Sequence, residues 1–306
     1  MISFRYHLIT IVSVFLAIAL GIVMGTTFVQ DPLLDSLRDR TEDLARRNQA
    51  YEDTIDGLGD RVAVMNAFAE AVFPQLATAR LDQVPVVLLT QAGTAGDDLD
   101  ATRTALERAG AVLQAELVVQ PRIQARGEGA RQELAGVLGM SPATPPEDLA
   151  AEAAERIGHR LADGADGAAP ETDILAALLS DGFITTPRQT NVSLVGGLGT
   201  VVVVVAGGPD APAMEVEDVL LPVMRALSTD GLAAAVQATD SEYPFVPLVR
   251  ADDALAERMS TVDDIELAAG QLALVLAVED LIEGEGVGHY GVEGSALPPI
   301  EVSPQP

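Results

Sequence analysis

The chain has 306 residues, room for one large domain or two ordinary ones. Its 46 acidic residues face 18 basic ones, all Arg, for a formal net charge of −28, which excludes broad binding to the phosphate backbone of nucleic acid. The absence of Cys excludes a disulfide scaffold, a Cys-based zinc site and thiol catalysis, and 48% apolar residues are too many for a disordered acidic chain. Mean hydropathy is nevertheless positive, so the apolar residues must be concentrated in particular segments.

The first such segment is residues 8–29, where Leu8 to Val29 is a run of 22 residues without one charge. As a helix at ~1.5 Å per residue it reaches about 33 Å, enough for a hydrocarbon core of about 30 Å. Arg5, His7 and the α-amino group lie before it, which predicts residues 1–7 in the cytoplasm and the rest of the chain outside the membrane. A cleaved signal peptide is the rival reading, and Ala17-Ile18-Ala19 offers a cleavage pattern. A cut there would fall in the middle of the apolar run. A buried globular helix is a third reading, though such a helix normally shows a polar face. Gly21 and Gly25 place two small residues on one helix face, the spacing that lets a second membrane helix approach closely.

Residues 33–73 carry a heptad. Leu37, Leu44, Tyr51, Leu58, Met65 and Val72 recur every seven residues, and Leu34, Thr41, Asn48, Ile55, Val62 and Ala69 stand three positions before them. A sustained 3.5-residue period predicts a coiled coil, and Asn48 at an a position favours a parallel dimer. Such a pair would continue the membrane helices whose Gly21 and Gly25 faces meet, with Leu37, Leu44, Asn48, Ile55, Leu58 and Val62 in its seam. The alternative is an amphipathic helix packed on its own domain, which Gly57 and Gly59 favour in part. Pro74 is read as the end of the helix.

Residues 84–283 read as an α/β domain. Val84–Thr90, Ala111–Val119, Val201–Ala206, Leu232–Thr239 and Leu272–Val278 are the predicted strands. The helices between them run from Asp97 or Asp98 to Arg108, from Met214 to Leu227 and from Asp252 to Met259. The five valines of Val201–Val205 show no alternation, as in a strand buried on both faces. Strand–helix alternation predicts right-handed crossovers and a mainly parallel, doubly wound sheet. Residues 121–187 read as a helical insertion, with helices at Gly129–Leu138, Pro146–Leu161 and Glu171–Leu179 and flexible joints at Ser141–Pro146 and Asp163–Pro170. Residues 284–306 are rich in Gly and Pro and read as a flexible tail.

Chemistry-bearing patterns are sparse. The loops Gln91–Asp98 and Ala206–Asp210 fit neither a dinucleotide fingerprint nor a P-loop, and both end in acids that repel phosphate. Gly196-Gly197-Leu198-Gly199 precedes its strand instead of following it, so turn chemistry explains these glycines. No G-x-S-x-G elbow is present. Adjacent carboxylates such as Asp263/Asp264 and Glu279/Asp280 are expected to point apart, so the chain reads as a non-enzyme with no evident cofactor. Copper(I) prefers sulfur ligands and copper(II) imidazole. The seven Met (1, 24, 65, 140, 214, 224 and 259) form no M-x-M or M-x-x-M, and His159 reads as a surface residue. His289, in Gly286-Val287-Gly288-His289-Tyr290-Gly291, is the best single imidazole candidate for a metal. The bland alternative for it is a loop histidine capping the sheet edge.

Several segments together resemble the actinobacterial MctB family (mycobacterial copper transport protein B). They are Met1-Ile2-Ser3-Phe4-Arg5-Tyr6-His7, the apolar Ala19–Gly25 stretch and Asp181-Gly182-Phe183-Ile184. The C-terminal signature is more specific: Ser260-Thr261-Val262-Asp263-Asp264-Ile265, then Gly270, Asp280-Leu281-Ile282 and Gly288-His289-Tyr290-Gly291. The resemblance implies an envelope protein that helps keep intracellular copper low, with copper as its ion. One membrane helix cannot enclose a conduction path, so transport would need oligomers or partners. The residues themselves support equally a non-enzymatic, dimeric, membrane-tethered scaffold or regulator of other envelope proteins.

Overall fold

The computed structural model describes residues 4–165, 173–187, 190–208 and 214–294, with the backbone alone at 4–5 and 25–36. The joint at 166–170, the start of the helix read from Glu171, Pro209-Asp210 and residues 295–306 lie outside the described residues. The chain divides into two units, Met1–Val64 and Met65–Pro306.

The first unit is helical. It belongs to α1 (Phe4–Ala77), whose Tyr6–Met24 stretch is long and apolar enough to cross a membrane. Gly21 and Gly25 both fall on this helix. Further along it, Leu37, Leu44, Tyr51, Ile55, Leu58 and Val62 are each at least 50% exposed, and Asn48 is exposed among them.

The second unit is an α/β domain whose sheet has the order β3-β2-β1-β4-β5-β6-β7. The strands are β1 (Pro85–Gln91), β2 (Val112–Val119), β3 (Ile184–Thr185), β4 (Val201–Val205), β5 (Leu232–Val236), β6 (Ser260–Val262) and β7 (His289–Tyr290). All neighbours run parallel except β2 and β3. Every valine of β4 is fully buried, with Val202 and Val204 in the core on one face and Val201, Val203 and Val205 in the core on the other. At about 1.5–3 kcal/mol for each fully buried valine, this one strand anchors both layers.

One layer holds α3 (Glu128–Leu138), α4 (Pro146–Asp163), α5 (Ile174–Ser180) and α6 (Leu220–Leu227), with α7 (Phe245–Ala251) and the short α8 (Asp253–Ala256) beyond them. Helices α4 and α6 touch at Gly158, where a Cβ would meet Val223 O at 2.5 Å and Ala226 Cβ at 2.6 Å. Arg160 ties this layer together. It donates to both Asp173 oxygens, at 2.9 and 2.7 Å, and to the Val192 and Val195 carbonyls.

The opposite layer holds α2 (Gly96–Arg108) and α9 (Ala268–Glu283), together with the Met65–Ala77 end of α1. Phe73, Ala77 and Leu81 are buried there, Arg108 stacks 4.2 Å over the Phe73 ring, and Arg80 pairs with Glu279 at 2.5 Å. Asn66 Oδ1 accepts the Ala268 N–H at 2.7 Å, satisfying an amide that the start of α9 would otherwise leave open.

The structure corrects four expectations. Helix α1 runs one turn past Pro74 to Ala77, because Phe73 and Ala77 bury in the core on either side of the proline. The segment Leu272–Val278 is helix α9 and not a strand. Buried all round, it shows no polar face, and such a run cannot be told from a buried strand by period. The helix read from Met214 begins at Leu220, which keeps Pro222 in its first turn, where a missing N–H is tolerated. The helix read over Asp252–Met259 shrinks to α8 behind an Asp252 cap, whose Oδ1 accepts the Ala254 N–H at 3.1 Å. Three strands went unread, the first being β3 at the end of the segment read as a helical insertion. The others are β6, which is polar, and β7, which lies inside the segment read as tail.

Candidate functional site

The signature residues Ser260–Asp264 and Gly288–Gly291 meet at β6 and β7, while Asp280-Leu281-Ile282 lie on α9. Ser260, Thr261 and Val262 are buried on β6 although two are polar, because their hydroxyls are partnered. Ser260 Oγ accepts the Gly288 N–H at 3.2 Å. Thr261 Oγ1 accepts Arg250 Nε–H at 2.8 Å and lies 2.9 Å from His289 Nδ1.

Arg250, from α7, organises the cluster. It donates to Asp263 Oδ2 at 2.6 Å and to the Tyr290 carbonyl at 2.9 Å. Asp263 also accepts the backbone N–H groups of Val292 at 2.6 Å and Glu293 at 3.2 Å, which locks the turn after β7 onto the end of β6. A charge-assisted pair of this kind, with its remaining lone pairs satisfied, is strong and directional.

Asp263 and Asp264 do not point apart as their adjacency suggests. Both Oδ1 atoms lie within 3.0 Å of the place a Gly291 Cβ would occupy. Gly291 has φ +113°, so glycine is required there by conformation and by space. A Cβ on Gly270 would likewise strike the Asp264 carbonyl and carboxylate, and one on Gly288 would strike the Tyr290 ring. Among the described residues, Asp264 Oδ1 is buried with no hydrogen-bond partner. Burial first, then Asp263 and Glu266, push the Asp264 carboxyl up to about 6.

His289 is half-buried, with Nδ1 facing Thr261 Oγ1. Burial and the nearby Arg250 guanidinium lower its pKa, favouring a neutral ring. Metal coordination through Nδ1 would have to displace Thr261 Oγ1. Among the described residues, no group of three or more His, Asp or Glu is placed to hold a metal ion. A cleft of about 200 Å³ opens beside the cluster, lined by Gln237, Thr239, Ser241, Asp263 and Glu293 among others. That is smaller than the ~300–1,000 Å³ usual for small-molecule pockets.

Other singled-out residues stand apart. His159 lies on α4, part-exposed and 3.8 Å from Glu155. The two glycine loops close on each other, the Ala95 N–H donating to the Gly207 carbonyl at 3.1 Å. Arg250 was not visible as a functional residue in the sequence. Its one signal is a cation inside the apolar Phe245-Val246-Pro247-Leu248-Val249-Arg250 run.

Comparison with known proteins decides the family. Residues 1–300 match the family described as copper transport outer membrane protein, MctB. The chain is 31% identical over 315 residues to proteins named copper transporter MctB in Mycobacterium bovis and Mycobacterium tuberculosis, covering 97% of this chain and 98% of theirs. A Mycobacterium leprae protein of the same name is 28% identical over 309 residues, covering 95% and 96% of the two chains. The chain belongs to the MctB family. That family is known by copper transport and not by a reaction. In this MctB chain the C-terminal signature is one hydrogen-bonded unit in which each glycine clears space for an acid, a ring or a turn.

Proposed function

We propose that the chain serves copper homeostasis as a membrane-anchored envelope protein that keeps intracellular copper low. The observation that carries this reading is the family match over residues 1–300. Residues 1–7 sit in the cytoplasm, the apolar run from Leu8 anchors the chain, and the α/β domain stands on the extracytoplasmic side. Two copies join in parallel through the Gly21/Gly25 face and the seam of Leu37, Leu44, Asn48, Ile55, Leu58 and Val62. The exposure of that seam in a single copy supports this arrangement. No catalytic role is part of the proposal. The test is intracellular copper, measured in cells lacking the gene and challenged with copper. Copper should rise severalfold and return to baseline with the intact chain, and an unchanged level would overturn the role.

A second reading is that the protein is a dimeric scaffold for other envelope proteins that binds no copper itself. The lack of a metal-ready cluster among the described residues favours it. Copper titration of the full chain in detergent separates the two, with His289→Ala as the probe of the best imidazole. Leu37→Cys and Leu44→Cys test the dimer apart from copper. Each should form disulfide-linked pairs in membranes, and monomers alone would rule out the parallel seam.

A further inference from the structure

A cavity of about 410 Å³ stands apart from the signature cluster, lined by Gln124, Arg126, Pro146, Glu147, Ala150 and Asp218. Small-molecule pockets usually measure ~300–1,000 Å³. Gln124 closes a short helical turn, Pro121–Gln124, that follows β2. Ala125 behind it is buried with φ +51°, a left-handed bend that brings Gln124 and Arg126 to the same cavity. Asp218 precedes α6. Its segment is tied to the end of β1 by Gln91 Nε2, which donates to the Met214 carbonyl at 2.9 Å. The cavity thus lies beyond the C-terminal strand ends, where open parallel sheets bind ligands.

Its polar groups carry both signs. Gln124 is only 6% exposed, and its Nε2 donates to Asp218 Oδ2 at 2.6 Å. A carboxylate can only accept, so this bond fixes which end of the amide is the oxygen. Among the described residues no donor reaches that Oε1, and the cavity is the open side of Gln124. Polar side chains this buried normally find a partner for each end. Asp218 and Glu147 add carboxylates. Arg126 adds a guanidinium 3.9 Å from Asp218 Oδ2, largely exposed and so able to turn to a ligand. Helix α4 begins on the same wall at Pro146 without a side-chain cap, which favours a negative group there. A simple anion would face Asp218 and Glu147, and a simple cation would face Arg126. A metal ion is no better served, because no three acids among the described residues stand close enough to share one. A ligand with an ammonium and a carboxylate a short way apart matches both halves. Pro146 and Ala150 leave an apolar wall for its side chain.

We propose that this cavity binds an aliphatic α-amino acid, with the ammonium group on Asp218 and Gln124 Oε1 and the carboxylate on Arg126. This goes beyond the copper role and does not depend on it. The test is calorimetric titration of L-leucine into the full chain in nonionic detergent at pH 7. Saturable binding is expected at millimolar concentration or below. Isoamylamine is leucine without its carboxylate, and 4-methylpentanoate is leucine without its ammonium group. Each should bind at least tenfold more weakly than leucine. Asp218→Asn and Arg126→Gln should each weaken leucine binding at least fivefold. Both side chains are largely exposed, so the fold does not hang on either. Glu155→Gln removes a charge from another part of α4 and should leave binding within twofold. The proposal is overturned if leucine does not bind, or if either analogue binds as tightly as leucine. It is equally overturned if Asp218→Asn or Arg126→Gln binds like the unaltered chain, or if Glu155→Gln weakens binding as much as they do.

Discussion

Asp264 shows how one residue ties the signature to stability. Its carboxyl is buried with an unpartnered oxygen and sits at about 6 instead of 3.8. A carboxyl raised on folding favours the folded state when protonated. Its contribution is full below about pH 3.8 and is lost as pH climbs through about 6. Asp264→Asn should therefore match the unaltered chain at pH 4 and exceed it at pH 7. The gain has an upper bound of about 3 kcal/mol, because each tenfold change in proton affinity is worth roughly 1.4 kcal/mol. Thermal midpoints at the two pH values check this, and a variant less stable than the parent at pH 7 would show that the charge is needed. Much of this cluster was legible in the sequence as a list: Ser260 to Asp264 and Gly288 to Gly291. Its organiser was not, because Arg250 acts through partners 11, 13 and 40 positions away. Nor was the convergence of Asp263 and Asp264 legible, since a turn and not strand alternation sets their directions.

Among the elements, those with a clear period or clear punctuation were the readable ones. Helices α3 and α4 begin and end close to their expected limits, and α4 has Pro146 in its first turn and Gly164 behind it. Strand β4 announced itself by uninterrupted valine. The failures share a cause. Helix α9 and strand β6 owe their form to surroundings that a window of sequence does not contain, one being apolar all round and the other polar yet buried. The contact of α4 with α6 was equally hidden, because Gly158 looks like an ordinary helix weakness until Val223 and Ala226 are seen against it. Gly158→Val should drive the two helices apart and cost about 1–3 kcal/mol, the usual range for overpacking. Chemical denaturation would report it, and an unchanged midpoint would mean that the helices part without loss.

Across the whole molecule, the acidity and the apolar content no longer conflict. Apolar residues gather in the α1 stretch and in two core layers, while most acids face water. The last turns of α1 belong to one of those layers, as Asn66, Phe73 and Ala77 show. A version starting at Val84 should expose the strip under Phe73 and aggregate, whereas one starting at Met65 should stay monodisperse in gel filtration. Equal behaviour of the two would show that this packing is dispensable. The same feature bears on release from a membrane under the proposed anchoring. A cut in the 78–84 connection would leave Phe73, Ala77 and the Asn66 bond to Ala268 as the contacts that oppose shedding of the domain. A cut upstream of Met65 would leave all of these contacts in the released piece.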